Sequence, residues 1–124
     1  MKKSNFFKSV YIALIGIAHG VSKERNIKIQ IVVGIFIIAL SYLLQISRSD
    51  FMIIILVVFL VLSFELANTA MEKFIDHIHP GYDAELGKVK DIMAGAVLLI
   101  VFSSIIIGLL ILFVPFINFI RSCF

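Results

Sequence analysis

Between positions 65 and 91 the chain carries a set of charged residues whose types and spacing suit phosphate and metal chemistry. Glu65 follows fourteen residues without a formal charge, and from it the sequence reads Glu65-Leu66-Ala67-Asn68-Thr69-Ala70-Met71-Glu72 and then Asp76. At about 100° per residue, Glu72 and Asp76 fall within about 20° of Glu65, so three carboxylates share one helical face with Asn68 and Thr69 beside it. An ionisable group within a membrane helix costs roughly 2.5–3.5 kcal/mol on insertion scales, which makes Glu65 a functional candidate. Glu65 and Glu72 are about 10 Å apart along the axis, too far to share one proton but suited to two separate tasks. An acidic stripe of this kind invites a cation, and an all-oxygen donor set suits Mg²⁺, which keeps several waters and is usually shared with phosphate oxygens. Glu72 and Asp76 alone would also serve simply to solvate a helix end. The opposite charge comes from Lys88 and Lys90, which precede Asp91 and the small residues Ala94, Gly95 and Ala96. They form a phosphate-facing edge or, on charge alone, ordinary positive flanking of a membrane span; the small residues suit helix packing equally well.

The elements that must position these residues follow from composition. Of 124 residues 61% are hydrophobic and 15% are charged, with the charges gathered in blocks between long apolar runs. That excludes a soluble globule and a disordered chain and leaves a small integral membrane protein. The expected fold is all-α: an N-terminal amphipathic interfacial helix and three transmembrane helices, the second extended into the cytoplasm. The spans are placed at about 27–46, 51–66 and 94–114, the first giving roughly the ~20 residues a bilayer requires and the second continuing as a helix beyond its apolar run. Ser47-Arg48-Ser49-Asp50 forms the tight first connection, His79-Pro80-Gly81 breaks the second helix, and Pro115 loosens the end of the third. Phe7, Val10, Leu14, Ile17 and Val21 recur at spacings of three and four, predicting a surface helix over about 5–22. The alternative for this stretch is a secretory signal peptide, given Met1-Lys2-Lys3 and the small residues near His19-Gly20. The whole of 1–124 is expected to be one domain. Lys2, Lys3, Lys8, Lys23, Arg25, Lys28, Lys73, Lys88 and Lys90 fall on one side of the spans, against Arg48 and Arg121 on the other. By the positive-inside rule the amino terminus and second connection are cytoplasmic.

Several other readings fail. Cys123 is the single cysteine, so neither an intrachain disulfide nor a cysteine-based zinc module is expected. The basic residues flank apolar segments rather than forming a stripe with stacking aromatics, so no nucleic acid partner is expected. Gly81 and Gly87-Lys88 are separated by five residues, and Val89 stands where a P-loop has Ser or Thr. His77 and His79 would not face one another on a helix and do not make a metal pair. Glu24, between Lys23 and Arg25, reads by itself as a surface salt-bridge partner.

The run from Glu65 to Glu72, Asp76, and then Lys88-Val89-Lys90-Asp91-Ile92-Met93-Ala94-Gly95-Ala96-Val97-Leu98-Leu99 resembles the small bacterial integral-membrane lipid kinases, the diacylglycerol kinase and undecaprenol kinase family. The family pattern is E-x-x-N-[ST]-A-[IM]-E, an aspartate four residues on, and then A-K-D-x-x-[AS]-A-V-L. This chain departs mainly at Val89, where alanine is usual. The resemblance extends from about Phe7 to Leu110, including Gly16 and Glu24-Arg25-Asn26.

The resemblance implies ATP-dependent phosphorylation of a membrane lipid hydroxyl by a homotrimer in the bacterial inner membrane. Its composite active sites would lie at the cytoplasmic interface between subunits. Carried over by motif, Glu65 would be the general base facing the lipid substrate, Asn68 would orient the reacting groups, and Glu24 and Glu72 would hold magnesium. Those two, with Tyr82, Asp83, Lys90 and Asp91, would form the ATP site. Gly81 and Asp83 differ from the enterobacterial diacylglycerol kinases, and Asn5 and Ile12 replace an arginine and a tyrosine found there. The Glu24-Arg25-Asn26 block and the run from Ala94 to Leu98 resemble the Gram-positive undecaprenol kinase branch, which favours undecaprenol over diacylglycerol. The competing classes are a holin-like pore and a proton-coupled exporter using Glu65. A pore has no need of a lysine-aspartate pair facing an acidic helix extension, and an exporter would place its carboxylate deeper in the membrane.

Overall fold

The computed structural model describes residues 5–124; Lys2 and Lys3, counted in the charge bias, lie outside them. The described residues form four helices: α1 (Phe6–Lys23), α2 (Arg25–Leu43), α3 (Arg48–Ile78) and α4 (Ala84–Cys123). α2, α3 and α4 are each long and apolar enough to cross a membrane. At 1.5 Å per residue, the 31 residues of α3 reach about 46 Å, well beyond the ~30 Å hydrocarbon layer. The polar residues from Asn68 to His77 occupy that excess, so the extension is written in α3's length.

Short polar side chains start three of the helices. Asn5 Oδ1 accepts from the Lys8 amide at 2.7 Å, Ser47 Oγ from the Asp50 amide at 3.2 Å, and Asp83 Oδ1 from the Leu86 amide at 2.9 Å. These caps move two expected boundaries. Because Ser47 caps α3, Arg48, Ser49 and Asp50 form its first turn, and the break falls instead on residues 44–47. There Gln45 adopts φ 53°, a left-handed conformation at the end of α2 that is more often filled by glycine. Because Asp83 caps α4, that helix begins ten residues before the expected third span, and Lys88, Lys90 and Asp91 lie within it rather than before it. Pro115 does not end α4, which continues to Cys123. A membrane helix tolerates the one backbone hydrogen bond that proline removes.

α3 is the hub, packing against α4, α2 and α1. Two glycines permit close approach. A Cβ on Gly34 of α2 would lie 2.7 Å from Val58 Cγ1, and one on Gly20 of α1 would lie 2.5 Å from Leu66 Cδ2. Small residues allow membrane helices to gain the van der Waals contact that substitutes for a hydrophobic driving force. The interior is thin: Ile27, Ile54, Val61 and Ile75 are the buried hydrophobic residues, joined by Ser41, Glu65 and Thr69. The apolar face of α1 stays uncovered by the rest of the chain, with Phe7, Leu14 and Ile17 all exposed, as a helix lying on a bilayer surface requires.

Candidate active site

Glu65 sits where α3 leaves the apolar layer. Its residue is 8% exposed, and the carboxylate takes part in none of the ion pairs among the described residues. The carboxylate oxygens also make no hydrogen bond among the described residues, so this group at the end of the apolar run is open to a partner from outside the chain. The charges that act on it through space are those of Glu24 and Glu72. Glu72 shares the α3 face with Glu65, and Glu24 comes near from another part of the chain, without the three closing into one cluster.

Glu72 lies two turns further along α3 and is half-buried. Asn68 Nδ2 donates to its Oε1 at 3.3 Å, an i,i+4 contact that fixes the carboxylate against the helix. The other end of the amide is not satisfied: Asn68 Oδ1 is buried and has no hydrogen-bond partner among the described residues.

Glu24 is brought in by the corner between α1 and α2. It is the one extended residue between them (φ −113°, ψ 118°), and its backbone N–H donates to Gly20 O at 3.1 Å. Although it occupies the N-cap position of α2, its side chain caps nothing. Contrary to its reading as a salt-bridge partner, it pairs with neither Lys23 nor Arg25 among the described residues. The corner is held by the Gly20–Leu66 contact and by His19, whose Nε2 lies 3.0 Å from Lys73 Nζ on α3. Sequence reasoning passed over both contacts, since His19 and Gly20 stood out there only as the small-residue end of a leader-like stretch.

The groups expected at the nucleotide are spread over the start of α4. Lys90 pairs with Asp76 across the α3–α4 seam. Asp83 is engaged as the α4 cap and lies 3.9 Å from His79 Nε2. Tyr82 is 92% exposed in the connection. Asp91 is exposed and joins no ion pair among the described residues, whereas Lys88 pairs with Glu85 at 3.2 Å. Glu65, Asn68 and Glu72 therefore share one side of α3, while Tyr82 and Asp91 are exposed and Asp83 is engaged at the start of α4.

Residues 11–112 match the family described as prokaryotic diacylglycerol kinase. The chain belongs to that family. It is 36% identical over 112 residues to the undecaprenol kinase of Bacillus subtilis, covering 90% of each chain. It is 31% identical over 115 residues to the diacylglycerol kinase of Synechocystis sp., covering 92% of this chain and 66% of that one. The protein is accordingly a lipid kinase of the bacterial membrane, and the pore and exporter alternatives fall. Glu65 lies where the apolar run of α3 ends, and Glu72 and Asp76 continue outward along the same helix.

Proposed function

We propose that the protein transfers the γ-phosphate of ATP to the hydroxyl of undecaprenol, giving undecaprenyl phosphate, at the cytoplasmic face of the membrane. The observation that carries this reading is the buried Glu65, free of ionic partners, with Glu72 two turns outward on the same face. Glu65 accepts the hydroxyl proton as the lipid oxygen forms its bond to the γ-phosphorus. The bond from that phosphorus to the β–γ bridging oxygen breaks, and ADP leaves with the electron pair. Phosphoryl transfer asks for positioning and charge neutralisation rather than covalent catalysis, and a few fixed polar groups supply both. Asn68 holds Glu72 through its amide nitrogen and offers its free oxygen to a reacting group. Lys90 and Asp91 meet the nucleotide from α4, with Tyr82 and Asp83 at its outer edge.

Magnesium fits the donor set. Mg²⁺ is generally held by one or two carboxylates plus phosphate oxygens and waters, and Glu24 and Glu72 supply that number. When bound, the ion would neutralise charge on the phosphates. Nine basic residues against two support a cytoplasmic site. The thin interior and largely exposed α4 support a homotrimer with sites near its interfaces.

Diacylglycerol is the second reading, favoured by the name of the Synechocystis relative. Purified protein in mixed micelles, given radiolabelled ATP and either lipid, separates the two. Undecaprenol should be phosphorylated with the higher kcat/KM, and preference for diacylglycerol would reverse the assignment. Transfer to neither lipid would reject both.

A further inference from the structure

Asp76 is the one member of the acidic face that the proposed reaction leaves without a task. It lies three turns from Glu65, about 16 Å along the axis, too far to touch a hydroxyl at that base. Its partner is Lys90, fourteen residues on and across the α3–α4 seam. The pair is open to solvent, with the lysine side chain 37% and the aspartate 62% exposed. Exposed pairs of this kind contribute little to stability, so anchoring the helix hairpin is a weak reason for the contact.

We propose that Asp76 is a positioning residue for the nucleotide: it holds the Lys90 ammonium against the α3 face that carries Glu72, ready to receive ATP phosphates. This rests on the kinase reading above, in which Lys90 meets the nucleotide. A lysine ammonium rides on a flexible four-carbon stem, and without a partner it samples many rotamers. Asp76 is one turn beyond Glu72 on the same face, so the pair fixes the ammonium about 6 Å further along the axis. An ammonium has three donors, and a single carboxylate oxygen occupies one, leaving the others for phosphate oxygens. Asp76 itself, being anionic, would repel the phosphates, and so acts only through the lysine.

The test compares Asp76→Asn, Asp76→Glu, Lys90→Met and the double variant Asp76→Asn/Lys90→Met in the full-length protein. The readouts are KM for ATP, kcat, ATP binding with divalent ions chelated, and melting temperature. Asp76→Asn should raise KM for ATP and weaken metal-free ATP binding by about fivefold, the scale of an exposed ion pair. Its kcat should stay within about twofold and its melting temperature should not move. Asp76→Glu should recover most of the affinity. In the Lys90→Met background, Asp76→Asn should cost nothing more, because there is no ammonium left to place. Wild-type ATP affinity in Asp76→Asn, or a full additional loss in the double variant, would overturn the proposal. So would a drop in melting temperature that Lys90→Met reproduces, since the pair would then be structural. Wild-type ATP binding by Lys90→Met is a different failure: it would remove Lys90 from the nucleotide site, and with it the reading on which the proposal rests.

Discussion

The two ends of α3 are built from similar residues and used differently. At the Ser47 end, polar groups bond to their own neighbours. Ser47 Oγ caps the Asp50 amide, the Phe51 amide donates to Ser47 O at 2.9 Å, and the Gln45 amide donates to Tyr42 O at 3.1 Å. A hollow of about 490 Å³ there is lined by Gln45, Asp50, Pro115 and Asn118, yet among the described residues no side-chain hydrogen bond crosses between helices around it. At the Glu65 end, polar groups reach across the fold. Lys90 meets Asp76 and Lys73 meets His19, the latter over 54 positions, while Glu65 and Asn68 Oδ1 keep unspent capacity. Bonds between near neighbours end a helix, and any sequence with the right cap can make them. Bonds across elements instead tie α1 and α4 to this end of α3, beside the side chains proposed for the reaction.

That contrast can be broken by substitution. The largest effect should come from Glu65→Gln, which keeps the shape and removes the basic oxygen. Turnover should fall by about 10²–10⁴-fold while ATP binding persists, and unchanged turnover in a well-folded preparation would reject the base. Next is Glu72→Gln, expected to weaken ATP binding about tenfold or more with Mg²⁺ present and far less without it, as titration calorimetry with and without the ion would read. Co-refolding Glu24→Gln with Glu72→Gln tests whether the metal pair belongs to one chain, in which case no activity returns. Recovery would put Glu24 across a subunit boundary. A purely structural change should rank third: Gly34→Val places a side chain into Val58 and should cost about 1–3 kcal/mol, seen as a lowered melting temperature. The smallest effect belongs to the quiet end. Ser47→Ala should cost about 1 kcal/mol through loss of the α3 cap and leave kcat and KM unaltered. A fall in turnover there would erase the distinction between the two ends.

Much of this could be read along the chain. The apolar runs, the acidic periodicity from Glu65 to Asp76 and the His79-Pro80-Gly81 break depend on neighbours in sequence, and α3 carries them as expected. Helix boundaries were less legible where a cap decided them. Asp83 starts α4 well before the hydrophobic run begins, because an aspartate oxygen can satisfy an orphan amide wherever the following residues tolerate a helix. Gln45 in a left-handed turn carried no glycine to announce it.

The sequence by itself determined the membrane class, the number of spanning helices and the row of carboxylates on one helical face. Each of these follows from hydrophobic length and a period of 3.6 residues, both local properties. Only the tertiary structure decided that Glu24 makes no salt bridge, that Glu65 lacks an ionic partner among the described residues, and that Lys90 is held by Asp76. Those outcomes depend on how closely α1 and α4 approach α3. Gly20 against Leu66 sets the first approach, and the cap at Asp83 sets the start of the second helix. Proximity between residues far apart in the chain is fixed by such packing distances, and no periodicity along the chain encodes them.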